Sequence, residues 1–134
     1  MPAVLPEGVR KLFQAPNYAH LATLMPDGSP QVTAVWVDVD GDRILVNTAE
    51  GRVKTRNLRR DPRVALSITQ QDNPYSTATI RGRVVAITAE GADAHIDQLA
   101  KKYLGQDRYP FRSPEEQRLI MVIEPEHVHS GIAD

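Results

Sequence analysis

Gly51-Arg52-Val53-Lys54-Thr55-Arg56-Asn57-Leu58-Arg59-Arg60-Asp61-Pro62-Arg63 holds six of the sixteen Lys and Arg residues of a chain whose formal net charge is −1. It follows the apolar run Arg43-Ile44-Leu45-Val46-Asn47-Thr48 and ends at a proline before another β-rich run, so it reads as one short helix between two strands. At about 100° per residue, Arg52, Arg56, Arg59 and Arg60 form one stripe, while Lys54 and Leu58 project the other way. Lys54 falls in the first turn, where free N–H groups and the positive end of the helix dipole make a cation unfavourable. A bound phosphate reverses that sign. A strand ending in Asn47 and Thr48 brings polar side chains and helix-start N–H donors to one spot, which is the chemistry of a phosphate cradle. The competing reading is a solvated basic helix whose apolar stripe packs on a sheet.

At 134 residues the chain is expected to be one domain, 1–134, long enough to bury a core. Hydrophobic residues at 41% and charged residues at 25% are ordinary for a globular protein and argue against disorder. The near-zero charge argues against a nucleic-acid partner, because one short basic helix is too small a footprint. With no cysteine, disulfides, thiolate metal sites and a cysteine nucleophile are excluded. No apolar stretch approaches the ~20 residues of a membrane span. Met1-Pro2-Ala3-Val4-Leu5-Pro6-Glu7 lacks the charged-then-apolar pattern of a signal peptide. The expectation is a cytoplasmic protein with no membrane partner.

Working outward, Val9, Leu12 and Phe13 after Pro6 predict a helix over 7–14. Tyr18 to Met25 reads as a strand, ended by the turn Pro26-Asp27-Gly28-Ser29-Pro30. Gln31 to Val39 reads as a single strand, apolar on both faces and so buried on both. Asp40-Gly41-Asp42 makes a hairpin into Arg43–Asn47. Beyond the basic helix come a strand over Val64–Thr69, a polar turn at Gln70–Pro74 and a long strand from Tyr75 to Ala89, with Gly82 marking a bulge or bend. A helix follows from about Ala89 to Leu104, capped by Thr88, with Ile96, Leu99, Ala100 and Tyr103 as its apolar stripe and Gly105 as its terminator. Gln106–Glu116 reads as a loop, Arg118–Glu124 as the last strand, and Glu126–Gly131 trails from it. Six strand signals with few helices predict a mainly β fold, an antiparallel barrel with appended helices. So small a barrel, with aromatics at 5%, is expected to finish its core by pairing as a homodimer.

The segments Leu21–Thr33, Lys54–Arg63 and Ile80-Arg81-Gly82-Arg83-Val84, in this order of strands, turns and basic helix, resemble the split β-barrel flavin and deazaflavin proteins of the pyridoxamine 5′-phosphate oxidase-like superfamily. The resemblance spans most of the chain. The wording Lys-Thr-Arg-Asn-Leu-Arg-Arg-Asp-Pro-Arg is most similar to the branch that uses coenzyme F420, a deazaflavin, rather than FMN. It implies a homodimer with two equivalent cofactor sites between the subunits and hydride transfer from the reduced deazaflavin to a small-molecule substrate. Carried over by position, Arg52, Lys54 and Thr55, with Asn47 and Thr48, would hold the phosphate, with Arg59 or Arg60 extending to the polyglutamate tail. Gln31, Val32 and Thr33 would line the ring, and Tyr75 and Ser76 would come across the dimer interface. No catalytic side chain is assigned, since hydride transfer asks for orientation more than for an acid or base.

Other features receive blander readings. His127 and His129 share a strand face and, with Glu124 or Glu126, outline a metal site, but two histidines without a third fixed ligand seldom close one, and no metal ligand is assigned. Ser67, Ser76, Ser113 and Ser130 lack the Gly-x-Ser-x-Gly context of a hydrolase. His20 reads as a packed strand residue, and His95 as lying on the polar side or margin of its helix without a role. Trp36 reads as core or interface, and Tyr109 and Phe111 either cover a substrate pocket or pin their loop. The function expected is F420H2-dependent reduction of an electron-poor enone or quinone. The alternatives are an FMN-dependent oxidase or reductase of the same fold, and a non-catalytic carrier of a flavin, haem or similar planar ligand. The chain ends soon after Gly131, without the C-terminal segment expected of a true pyridoxal phosphate-forming oxidase.

Overall fold

A computed structural model describes residues 2–131. Met1, part of the N-terminal reading, and Ile132, Ala133 and Asp134, the end of the expected domain, lie outside the described residues. Helix α1 (Glu7–Gln14) starts after Pro6 and buries Val9, Leu12 and Phe13, the three apolar residues that its spacing places on one face. Strands β1 (Ala19–Leu24), β2 (Pro30–Val35), β3 (Asp38–Asp40) and β4 (Arg43–Ala49) follow, then α2 (Val53–Arg60), β5 (Arg63–Gln70), β6 (Asn73–Thr88), α3 (Ala92–Leu104) and β7 (Arg118–Ser130). The strands make one antiparallel sheet in the order β2-β1-β5-β6-β7-β4-β3. The fold is a split β-barrel, with three helices among the described residues. One buried cluster joins α1 to the inner face of the sheet, from Leu5 and Phe13 through Leu21, Ile44, Leu66 and Ile80 to Met121 and Ile123.

Two expectations about strands are corrected. Gln31–Val39 is not one strand buried on both faces: it breaks at Trp36-Val37, and its halves pair at opposite ends of the sheet, β2 with β1 and β3 with β4. β2 buries only Val35 fully, and Val32 is 62% exposed, as expected of an edge strand with solvent on one face. The break is held by α3. The Val37 N–H donates to the Tyr103 hydroxyl (3.0 Å) and its carbonyl accepts from Lys102 Nζ (2.6 Å), so side chains replace a neighbouring strand. The count among the described residues is therefore seven strands rather than six, and β7 extends unbroken to Ser130 rather than trailing off at Glu126.

β6 and β7 stay paired along their length through two register shifts, one at Arg81/Gly82 and one between Val84 and Ala86. A Cβ on Gly82 would sit 2.2 Å from the Glu124 carbonyl oxygen, so the close approach that bends the strands requires glycine there. Thr88 does not cap α3. The helix starts at Ala92 behind Gly91, which takes a left-handed φ of 76°, while Thr88 accepts from the Glu90 N–H and shapes the preceding turn. Gly105 ends α3 in the left-handed conformation, as expected. No helix among the described residues is long and apolar enough to cross a membrane.

Candidate functional site

Helix α2 is fastened by its polar residues as well as by Leu58. Thr55, fully buried, donates to the Ala49 carbonyl (2.9 Å) and lies 3.1 Å from the Thr48 hydroxyl, clamping the helix start to β4. Asn57, also buried, donates to the Thr23 hydroxyl (2.9 Å), and Thr23 donates to Gln31 Oε1 (2.8 Å), tying the helix to β1 and β2. Burying these polar groups is tolerable because each finds a partner.

This anchoring turns Lys54 inward over a groove at the split of the sheet. The groove, about 230 Å³, is lined among others by Trp36, Asn47, Arg52, Lys54, Tyr109 and Arg118. Lys54 Nζ donates to the Thr33 hydroxyl at 3.4 Å, which joins the start of α2 to the middle of β2. Burial first, then the charges of Arg52 and Arg118, push the Lys54 ammonium below its ordinary value. Arg52 and Arg118 share one carboxylate, donating to Glu116 at 3.2 and 2.7 Å. Those bonds, that from Arg118 foremost, hold the Glu116 carboxyl below its usual range. Three cations thus face one anion. α2 adds to the positive field, since its first turn carries no acidic residue and the side chain of its N-cap, Arg52, does not cap the helix N–H groups.

The opposite wall is aromatic. Trp36 stacks on Tyr103 with centroids 5.2 Å apart and planes 6° from parallel, Tyr109 meets its edge at 6.0 Å, and Phe111 continues the row. Trp36 is therefore neither mid-strand nor core: it sits at the β2–β3 break and lines the groove. The loop is pinned as well as lining. Asp97 on α3 accepts from the Tyr109 N–H (2.9 Å) and from Arg112 (2.6 Å), and the bond from Tyr109 is the main reason its carboxyl lies below the usual range.

The structure brings together Thr33, Asn47, Arg52 and Lys54 of the residues picked from the sequence. Thr48 and Thr55 lie directly beneath, with their hydroxyls turned to each other. Gln31 is turned into the Thr23–Asn57 chain, and Val32 lies on the open face of β2. Arg59 is taken up by a two-pronged contact with Glu50 (2.6 Å each), and Arg60 bonds the Leu24 carbonyl and Asn57. Tyr75 (81% exposed) and Ser76 (buried) start β6 near Asn17 and Gln70, outside the groove of their own chain. His127 and His129 pair in register with Arg81 and Thr79, and among the described residues no group of three or more His, Asp or Glu is placed to hold a metal ion.

The sequence reading missed Arg118, Glu116, Asp38 and His95. His95 is not on the polar side of α3: it is 6% exposed and lies between Asn47 (3.1 Å) and Asp38 (3.2 Å). Its spacing to Leu99 and Lys102, four and seven residues on, was the available signal, since all three fall on one helical face. Arg118 was visible only as a charge opening an apolar strand.

The split barrel thus carries a cationic notch at its opening, at a helix start and beside an aromatic wall. The sequence pattern of the pyridoxamine 5′-phosphate oxidase family matches residues 5–130, and the chain belongs to that family of oxidoreductase folds. Its structure is similar to that of an F420 reductase, with 35% identity over 93% of this chain and 98% of that one and a TM-score of 0.81. It is also similar in fold to a conserved hypothetical protein of Mycobacterium tuberculosis (21% identity, 98% of this chain and 86% of that one, TM-score 0.69). General Stress Protein 26 of Bacillus anthracis shares the fold at 15% identity, over 92% and 91% of the two chains, with a TM-score of 0.66.

Proposed function

We propose that this protein is an F420-dependent oxidoreductase that delivers a hydride to an electron-poor small molecule of the enone or quinone type. The observation that carries the reading is Lys54, a half-buried cation on an uncapped helix start beside two guanidiniums that share one carboxylate. That surplus of donors fits a ligand bearing a phosphate and carboxylates. The 35% identity to an F420 reductase supports F420 over FMN.

When bound, the reduced deazaflavin supplies the hydride. The chain's share is binding, orientation and exclusion of water. Arg52 offers a fork and Lys54 a point charge to oxyanions, and the Thr33 hydroxyl steadies the Lys54 ammonium. Gln31, Val32 and Thr33 present the backbone of an edge strand, whose unpaired groups suit a planar polar ring. Trp36, Tyr109 and Phe111 wall the groove against water. The protein works as a homodimer, with the exposed face at Val32 covered by a second copy and the exposed Tyr75 delivered to the partner's site, while Ser76, buried in its own subunit, supports it from behind. Light scattering at micromolar concentration tests this: a dimer is expected, and a monomer removes the shared site.

The test of the activity is oxidation of F420H2 by the purified protein with menadione and cyclohexenone as acceptors. Acceptor-dependent oxidation is expected. Tight binding of F420 without turnover would make the protein a carrier, and turnover with reduced FMN alone would move it to the flavin branch.

A further inference from the structure

Behind the cationic notch runs a chain of hydrogen bonds whose direction is fixed at both ends. Arg118 Nε–H, which can only donate, lies 2.8 Å from Asn47 Oδ1. The Ala92 carbonyl, which can only accept, lies 2.9 Å from Asn47 Nδ2. These two neighbours leave the Asn47 amide one orientation: oxygen towards Arg118, nitrogen towards α3. The second hydrogen of Nδ2 then points at His95 Nδ1, 3.1 Å away, which has to accept it. A ring whose Nδ1 accepts carries its proton on Nε2, and Nε2 lies 3.2 Å from Asp38 Oδ2. The His95 bond is the largest of the causes holding the Asp38 carboxyl below its usual range, with the Val39 N–H and the Lys102 charge assisting.

The chain spans four elements, β3, α3, β4 and β7, and ends on a guanidinium that lines the groove. Arg118 is nearly buried, with its side chain 7% exposed. Nε is given to Asn47 and one Nη1 hydrogen to Glu116, and Tyr109 lies under the guanidinium 5.2 Å from it, which leaves the Nη2 hydrogens and the second on Nη1 without a partner among the described residues. Rotating the Asn47 amide would set donor against donor at Arg118 and acceptor against acceptor at Ala92, so His95 and Arg118 cannot be reset independently.

We propose that His95 is a positioning residue: held by Asp38 as the neutral Nε2–H tautomer, it takes the second Nδ2 hydrogen of an Asn47 whose amide orientation Arg118 and Ala92 already set, and so steadies Asn47, and through it the Arg118 guanidinium, beside the anion bound in the groove. This rests on the anionic-cofactor reading for its ligand, but the tautomer belongs to the protein alone. A protonated His95 would gain attraction to Asp38 while turning an N–H against the Asn47 amide. The charged groups around it are Asp38 from β3, Lys102 from its own helix, whose charge acts on Asp38, and, beyond Asn47, Arg118 from β7.

The experiment has two readouts. Long-range proton–nitrogen correlation spectra of the 15N-labelled, ligand-free protein at neutral pH report which ring nitrogen of His95 carries hydrogen. The Nε2–H pattern is expected, and an Nδ1–H or doubly protonated ring overturns the proposal without reference to any ligand. Fluorescence titration with F420 then compares His95→Leu with His95→Gln, whose amide can accept from Asn47 and donate to Asp38. His95→Leu is expected to bind about fivefold more weakly, the scale of one neutral hydrogen bond. His95→Gln is expected to recover most of that loss. Wild-type affinity in His95→Leu, or equal losses in both variants, would make His95 merely structural and overturn the proposal. Failure of the wild type to bind F420 at all would defeat the cofactor assignment while the spectra still decide the tautomer.

Discussion

Helix α2 carries cations at both ends and treats them in opposite ways. In the last turn Arg59 is gripped by both oxygens of Glu50, and Arg60 is turned onto the Leu24 carbonyl and Asn57. In the first turn Lys54 has, among the described residues, only the Thr33 hydroxyl, is half-buried, and shares its surroundings with Arg52 and Arg118. Charge at the C-terminal end is where the helix dipole favours it, and charge at the N-terminal end is where the dipole resists it. The cluster of basic residues therefore contains an end whose charges are taken up within the protein and an end that the proposed function makes the binding end. What separates them is the distribution of counter-charge, not the number of arginines.

The largest effect is expected at the binding end. Lys54→Ala should weaken F420 binding by about 1–3 kcal/mol, the range for a charge-assisted contact, with little change in the urea midpoint, because losing a cation held in an unfavourable field costs the fold nothing. Next in size is the anchor between the two ends. Asn57→Ala leaves the buried Thr23 hydroxyl short of a donor and should destabilise the fold by about 1–2 kcal/mol in urea unfolding. An unchanged midpoint would mean that α2 is held by Leu58 and Thr55 alone.

A third prediction concerns the wall opposite α2. Lys102 donates to the Phe13 and Val37 carbonyls (2.5 and 2.6 Å), and burial pushes it down to about 8 from an ordinary 10.5, with the Asp38 charge working the other way. Below about 8 the ammonium is charged in both folded and unfolded chains, and the folded state bears the cost of burying it. Between about 8 and 10 the folded chain loses that proton while the unfolded chain keeps it, so stability should rise with pH in that window. Above the ordinary tyrosine value of 10.0, Tyr103, pushed up to about 12 by burial, acts in the opposite sense. Urea midpoints of the wild type should gain on those of Lys102→Met between these limits, and parallel curves would contradict the assignment. The smallest effect is expected at the structural end: Arg59→Ala should leave F420 affinity within about twofold, as for an exposed ion pair already satisfied within the protein.

Much of this was legible in the sequence where one residue decides one local event. Pro6 and the 9, 12, 13 spacing set α1, Gly105 set the end of α3, and Gly82 set the bend between β6 and β7. The basic helix between two strands was read from its own residues, and Asn47, Arg52 and Lys54 do line one groove. The break at Trp36-Val37 was not legible, because its cause is distant: Lys102 and Tyr103, more than sixty residues on, satisfy the Val37 backbone. For the same reason Arg118, Glu116 and the Asp38–His95 pair escaped notice. Each is ordinary in its own segment and acquires a role only when β3, β4, α3 and β7 meet.

In the proposed function the uncompensated charge at the start of α2 is a deazaflavin phosphate site. The direct measurement is fluorescence titration of the wild type and Lys54→Ala against F420 and FMN in parallel at moderate salt, read from the quenching of Trp36, the only tryptophan, which lines the groove. The wild type is expected to prefer F420, and Lys54→Ala to lose most of that affinity. Preference for FMN, or equal F420 binding by both proteins, would contradict that assignment.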